Sequence, residues 1–590
     1  MKIKEISNFK VPEMLSRANF LVEFVMFGRR LAGSSIAVLL QSISSAIGDS
    51  CNDRYDAVTN WRPIRIKFSV ELASKDNRLT QEILPSVASF LSRAVSIRDS
   101  EEVVRAVLGC ATYGRDGLCF ESESPRCLTH TIPESWYSAG GDGIEGADMV
   151  IFVTDRTMEG GHCSPGVNAV ASACHHDACG RPVTATMTIC DPKKQQSNKL
   201  HSSVLHEAFH ALGFHFRDFS RFRDSKTLLP RVRSPKTVYY LCEMDKQSGK
   251  YKVNWNVDPK RFSNHENFHK HTFSEGLLTA EGGSKCTCPV MAGEYTNAQI
   301  EDCLNSSSKN GSCQVLFSGP AVVREARNFF ACNSLAGVRL DDTSHRCGSL
   351  IGDHWHSDGM YSETMTPRSH PDRLDWVSPM TLALLEDSGW YRVNYDMATR
   401  PGSDLTLGFK KGCRFLSGTC EQRRKVAPEN FCIKDSRSRC SASALYVERC
   451  VKEDSLCPRF VEQSGKGCFM NDPDSRCLYR ESSDGKHPDC FKIKCNLKRT
   501  KYAVFINGKW SDDKCTDMNQ KLKGSSVVCQ DPALICKEWD LRHLAVDIHF
   551  DALVDAPNDP GQTYTTSPSA VDTRGWITPT ILVLSILLCN

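Results

Sequence analysis

Residues 204 to 215 read Val204-Leu205-His206-Glu207-Ala208-Phe209-His210-Ala211-Leu212-Gly213-Phe214-His215. At about 100° per residue, Val204, Leu205, Ala208, Phe209 and Leu212 fall on one apolar arc of a helix. His206 and His210 share the opposite side, one turn apart. Two imidazoles at i and i+4 reach one metal ion from a rigid element, and Glu207, on the adjacent face, can lie beside a water bound to that ion. Zinc is the expected ion, one per chain, because it accepts three protein ligands and keeps a position open. The five-residue pattern alone recurs by chance. Here a strand-like run, Val183 to Ile189, precedes the helix, and Gly213 follows where the chain must turn sharply toward a third ligand. Such a site suits metal-assisted hydrolysis, in which the metal polarises a carbonyl and Glu207 carries the proton to the leaving group.

The third ligand lies further off. In the compact metzincin pattern it would sit three residues after the glycine, but Phe216 is there and His215 is one residue early. Downstream comes Gly352-Asp353-His354-Trp355-His356, followed by Met365 in Ser362-Glu363-Thr364-Met365-Thr366-Pro367. A histidine followed by a Met-containing turn supplies the missing pieces: His354 as third ligand and Met365 as an apolar floor beneath the metal. His356 and His345 are the fallback ligands. A zinc site with a downstream glutamate ligand is disfavoured, since the histidine and Met turn already account for it.

Around this core the chain is long, at 590 residues, and nearly neutral, with a formal net charge of +3 and no long run of one sign. An electrostatic nucleic-acid binder is therefore excluded as the leading reading. The 29 cysteines are densest between Cys413 and Cys536, which points to an oxidising, exported environment. Two sequons, at Asn305 and Asn310, agree with that. Arg29-Arg30 followed by an apolar run from Leu31 to Ile47, with Ser44-Ser45-Ala46 as a cleavage site, reads as a leader starting at Met26, with a buried hydrophobic helix as the alternative. The tail from Trp576 to Cys589 is shorter than a spanning helix needs and lacks a basic stop, and reads as a glycolipid-anchor signal behind a flexible stalk, Asp551 to Gly575, with a short membrane span or a secreted protein with an apolar tail as the alternatives. Removal of Cys589 with the tail would leave an even 28 cysteines.

The patterning predicts strands at Ile64 to Val70, Asp148 to Thr154, Val167 to Ala173 and Val183 to Ile189, and helices at Leu79 to Val103 and Trp376 to Tyr391. Between Phe214 and Cys347 the chain reads as polar and irregular. The spacing Cys174-His175-His176-Asp177-Ala178-Cys179 invites a second metal site, but in an exported protein its cysteines are expected in disulfides, as are Cys286 and Cys288.

The zinc helix, His354 and Met365 together resemble the leishmanolysin family of surface metalloproteases, in which a long insertion separates the glycine from the third histidine. The resemblance extends to Asn60-Trp61-Arg62-Pro63-Ile64-Arg65-Ile66, to Leu382-Ala383-Leu384-Leu385-Glu386-Asp387-Ser388-Gly389-Trp390-Tyr391, to Gly412-Cys413-Arg414-Phe415-Leu416 with Cys420, and to Phe431-Cys432, covering about residues 60 to 540. It implies an α+β fold: a metzincin-like zinc protease core, a long insertion and a disulfide-rich C-terminal domain. It also implies protein and peptide substrates, a part in cell adhesion, and a membrane tether through a lipid anchor, with release by secretion as the other route. The corresponding division is a leader at 1–50, a catalytic subdomain at 51–216, a central region at 217–395, a cysteine-rich domain at 396–545, and a stalk and tail at 546–590. Val167 to Ala173 falls where metzincins place a substrate-pairing edge strand, or it is an ordinary core strand. Two departures stand out. The insertion is longer than expected and could cover the cleft. Cys51, the upstream candidate for a zinc-blocking cysteine, lies in a segment unlike the usual motif and is expected in a disulfide. The rival from another class is a catalytically silent surface adhesin, against which stand the intact His206, Glu207, His210, His354 and Met365.

Overall fold

Strands follow the apolar runs closely in the part of the chain that carries the histidine helix. The computed structural model describes Cys51, most of residues 60–231, the segments 236–244, 251–255, 258–262, 268–273 and 278–282, most of 313–341, 353–367, 376–399 and 407–536, and 563–565. A short strand β1 (Trp61–Pro63) leads into β2 (Ile66–Glu71), and a π-helical stretch, Leu79–Ile83, runs into α1 (Leu84–Ala94). Here the sequence reading needs correction, because the helix expected to Val103 stops at Ala94 and the chain extends as β3 (Val95–Arg98). The cause is a change of period: Val95 and Ile97 are buried while Ser96 and Arg98 are not, which suits a half-buried strand. β3 pairs antiparallel with β1 and with Tyr391–Val393.

β4 (Met149–Thr154), β5 (Ala169–His176) and β6 (Pro182–Ile189) complete the main sheet, whose order is Thr563–Thr565, β2, β4, β6, β5. β2, β4 and β6 run parallel, and β5 is antiparallel to β6 at the edge. Burial explains the difference in composition. Every residue of β6 is buried, as suits a strand between two neighbours, whereas β5 alternates irregularly between buried and half-buried positions. Val167 to Ala173 thus belongs to an edge strand rather than a central core strand. Thr563–Thr565, within the expected stalk, forms the opposite edge against β2.

Helix α2 (Ser197–Ala211) carries the opening motif. Its predicted apolar arc is buried throughout, with Val204, Leu205, Ala208, Phe209 and Leu212 in one continuous core with α1 and the sheet. Ser86 of α1 and His201 of α2 are joined by a buried hydrogen bond of 3.0 Å. No helix among the described residues is long and apolar enough to cross a membrane.

Past Phe214 the chain is more regular than its polarity suggests. It forms a three-stranded sheet with Lys236–Met244 at its centre, the strands Leu278–Gly282 and Cys313–Phe317, and a helix α3 (Pro320–Phe330). The helix expected from Trp376 to Tyr391 is confined to α4 (Pro379–Asp387), because Ser378 caps it through the Thr381 N–H and Gly389, at φ +75°, ends it. Asp387, buried at the end of α4, accepts the Ala321 and Val322 N–H groups at 3.0 and 2.9 Å and so caps α3.

The C-terminal region from Cys413 to Cys536 is stapled as its cysteine density predicts. Six disulfides lie wholly within it: Cys420–Cys457, Cys432–Cys450, Cys440–Cys477, Cys468–Cys490, Cys495–Cys536 and Cys515–Cys529. Cys332–Cys413 ties it to α3. The two cysteines around His175 and His176 also form disulfides, Cys127–Cys174 and Cys51–Cys179, so the expected bridges, not a second metal site, occupy that segment. Cys51 is therefore bonded elsewhere than at the histidine helix. Cys286, Cys288, both sequons, the leader and the apolar tail lie outside the described residues.

A buried ion cluster locks the start of the sheet. Asp148 accepts hydrogen bonds from Arg62 at 2.6 and 2.7 Å, and from the backbone N–H and guanidinium of Arg65 at 2.8 and 2.9 Å. Burial pushes its proton affinity up, but the hydrogen bonds from Arg62 and Arg65 outweigh that and hold the carboxyl well below the usual range. The stabilisation is complete above the unfolded-state pKa of about 3.9 and is lost as pH falls below it. Asp148→Asn is expected to cost about 3 kcal/mol in urea unfolding at pH 7, and the gap to the parent protein should narrow at pH 3. An equal gap at both pH values would contradict the assignment.

Candidate metal centre

The histidines of α2 meet His354 from the far side of a long excursion of the chain. His206 Nε2 lies 3.0 Å from His210 Nε2 and 3.2 Å from His354 Nε2, and the last pair is 3.3 Å apart. Among the described residues this is the one cluster of three or more His, Cys, Asp or Glu side chains whose atoms converge in this way.

The tautomers follow from the other ring nitrogens. His206 Nδ1 faces the Thr364 carbonyl, and His210 Nδ1 faces the Phe214 carbonyl at 2.8 Å. A carbonyl only accepts, so both Nδ1 atoms donate and both Nε2 atoms present lone pairs. Burial is the main reason that His206 is lowered to about 3 and His210 to about 4, with His354 also well below the ordinary value. Neutral rings whose Nε2 atoms converge suit a cation, and tetrahedral zinc with bonds near 2.0–2.1 Å would space its nitrogens about 3.3 Å apart. The donor set therefore fits the expected ion.

Local folding explains each placement. Gly213 takes φ +108°, and a Cβ there would lie 2.9 Å from the Trp390 ring. That turn delivers the Phe214 carbonyl to His210. His215 does not join the cluster: it accepts the Arg217 N–H at 3.1 Å as the cap of Phe216–Phe219, and its Nε2 faces Asp353 at 3.5 Å. His356 is likewise a cap, accepting the Asp358 N–H at 3.1 Å. His345 lies outside the described residues. Glu207 is buried, which raises it to about 8, and a hydrogen bond from the Ala171 backbone of β5 opposes that rise.

Met365 is fully buried in the turn whose Thr364 carbonyl holds His206. The clamp on this turn was not legible beforehand. Glu363 accepts the Met365 N–H at 2.5 Å, the Ser378 N–H at 3.1 Å and the Thr381 hydroxyl. Thr381 in turn accepts the Trp355 indole N–H at 2.8 Å, and the Trp355 backbone N–H donates to the Met365 carbonyl at 2.8 Å. One buried carboxylate thus orients both the Met turn and the residue after His354. Glu363 serves backbone and hydroxyl donors and is not part of the histidine cluster. A second support comes from the C-terminal region: Arg423 and Arg459 bond Asp358 at 2.7 and 3.3 Å, four residues after His354. No spacing rule points to either arrangement.

Removal of one ligand should separate the histidines. His354→Ala is expected to abolish tight binding of one zinc per chain in a chelator competition, whereas His356→Ala should retain it. Glu363→Ala should weaken zinc about 10- to 100-fold, with Glu363→Gln intermediate, because outer partners orient the ligands. Zinc binding unchanged in His354→Ala would contradict the site.

Comparison with known proteins agrees with this geometry. The profile of the leishmanolysin family, peptidase family M8, matches residues 75–242 and 292–463. The leishmanolysin-like peptidase of Drosophila melanogaster is 27% identical over 429 residues, which cover 65% of this chain and 55% of that protein. The leishmanolysin-like peptidase of Caenorhabditis elegans is 25% identical, covering 68% and 59%. A leishmanolysin homolog of Crithidia fasciculata is 27% identical over a shorter stretch, 27% of this chain and 23% of that protein. The matched region spans little more than half the length of the insect and nematode relatives. Read with the histidine cluster and the disulfide-rich C-terminal region, the match shows that the chain belongs to the leishmanolysin family of metallopeptidases.

Proposed function

We propose that this protein is a zinc-dependent endopeptidase of metzincin type that cleaves peptide bonds in proteins and peptides. The observation that carries the reading is the convergence of His206, His210 and His354 Nε2, with Glu207 between the first two in sequence and hydrogen-bonded to β5. When bound, zinc supplies Lewis-acid polarisation of the scissile carbonyl and acidification of a water. The chain's own groups do the rest. β5 pairs with β6 on one side and, at its last residue His176, accepts the Val107 N–H at 2.7 Å, so the edge from Ala169 onward can take an extended peptide as an added strand. Glu207, tied to Ala171 of that edge, is placed to accept a proton from the attacking water on its carboxylate and return one to the leaving amine. Its burial excludes competing water and strengthens its hold on the proton. Glu363, Thr381 and Trp355 keep the third ligand and the Met turn in register.

The setting we propose is the outside of the cell, either secreted or tethered by a glycolipid. Ten disulfides among the described residues support export. The apolar tail supports the tether from sequence alone. A part in cell adhesion is what the family resemblance implies.

The purified protein should cleave casein, and a zinc chelator should stop it. Glu207→Ala should keep one zinc per chain yet lose about 100- to 10,000-fold in rate. A zinc-loaded, folded parent protein that cleaves nothing would favour the silent adhesin.

A further inference from the structure

The outer face of the C-terminal sheet carries charge and apolar surface that its fold does not use. From Lys492 to Trp510 the sequence holds six basic residues, Lys492, Lys494, Lys498, Arg499, Lys501 and Lys509, and no acidic one. Lys492 is paired with Asp472 at 3.0 Å, whereas no ion pair among the described residues involves Lys494, Lys498, Lys501 or Lys509. Over the wider stretch Lys492 to Lys523, nine basic residues stand against Asp512, Asp513 and Asp517.

Apolar side chains are set among these charges. Leu497 is fully exposed, and Phe505 and Trp510 are 38% and 37% exposed. Phe505 and Trp510 are cross-strand partners with ring centroids 5.3 Å apart, so they point to the same face. Ile493 and Val504, a facing pair on the neighbouring strands, are buried in the module's own core, which leaves Lys494 and its partner Ala503 on the side opposite to them. The loop that carries Leu497 is built rather than slack. The Asn496 side chain accepts the Thr500 and Lys501 N–H groups at 2.9 and 3.0 Å, and Cys495 is bridged to Cys536. A fully exposed leucine is therefore held out from an ordered loop, between lysines that no acid among the described residues neutralises.

We infer that this face, Lys494, Leu497, Lys498, Lys501, Phe505 and Trp510, docks on an anionic phospholipid surface. Charge complementarity selects the headgroups, each lysine near such a surface contributing independently to attraction. The apolar groups select a bilayer over a soluble polyanion, because Leu, Phe and Trp gain by entering the interface whereas a sulfated polysaccharide offers them nothing. The contact is independent of the zinc site and of any lipid tail.

The test is sedimentation of the full chain with phosphatidylcholine vesicles, with and without phosphatidylserine. Neutral vesicles give the baseline that a hydrophobic tail would add. Phosphatidylserine should raise binding above that baseline, salt should reverse the gain, and Lys498→Glu with Lys501→Glu should reduce it at least about tenfold. Leu497→Asn with Trp510→Ser should also remove most of the gain, while the thermal melting of both variants stays at the parent value. Equal binding to both vesicle types would overturn the inference. So would a gain that survives the Leu497 and Trp510 changes, or heparin retention that depends on the lysines without any phosphatidylserine-dependent vesicle binding.

Discussion

His206 and His210 turn the lone pairs of their Nε2 atoms toward each other at 3.0 Å, with His354 Nε2 3.2 and 3.3 Å away, and the burial of all three rings opposes relief of the crowding by an added proton. The fold therefore holds an arrangement that suits a bound cation. Much of the surrounding structure can be read as support for it. The Phe214 carbonyl fixes one ring and the Thr364 carbonyl another, and each depends on a backbone turn with its own constraint. Gly213 supplies the first at φ +108° against Trp390; Glu363 supplies the second by gathering the Met365, Ser378 and Thr381 donors.

The same logic links distant parts of the chain. Trp355 stands against Phe214, with ring centroids 4.9 Å apart, and near Phe317 at 6.3 Å, so the segment after the third histidine wedges between the end of α2 and a strand from the long insertion. Asp358 ties that segment to Arg423 and Arg459, and Arg459 also lies 4.7 Å over the Tyr361 ring. The disulfide-rich region thus helps hold His354 in place as well as folding around its own core. The insertion contributes packing as well as length.

Much of this was legible in the residues. The i, i+4 histidines, the apolar arc of α2, His354 and the Met turn could be read because helix geometry and motif spacing act through side-chain identity. The strands at β2, β4 and β6 could be read because β-branched apolar runs mark buried strands. What escaped reading is carried by the backbone or by distance. The carbonyls that fix His206 and His210 have no residue signature, and Glu363 resembles any acidic loop residue until Ser378 and Thr381 are brought to it. The early end of α1 was missed because Val95 to Arg98 continues an apolar run while its period changes from helical to alternating. The polar stretch after Phe214 hid strands because pairing there is set by partners far along the chain. His215 and His356 compete with His354 on spacing alone, and only their capping roles remove them.

The account turns on which nitrogens hold the metal. Diffraction from crystals grown with zinc, recorded on both sides of the zinc absorption edge, would locate the ion directly. The account predicts one anomalous peak per chain, within about 2.0–2.1 Å of the Nε2 atoms of His206, His210 and His354. A peak bonded to His215, His356 or Glu363 in place of His354, or no peak at the cluster at saturating zinc, would contradict it.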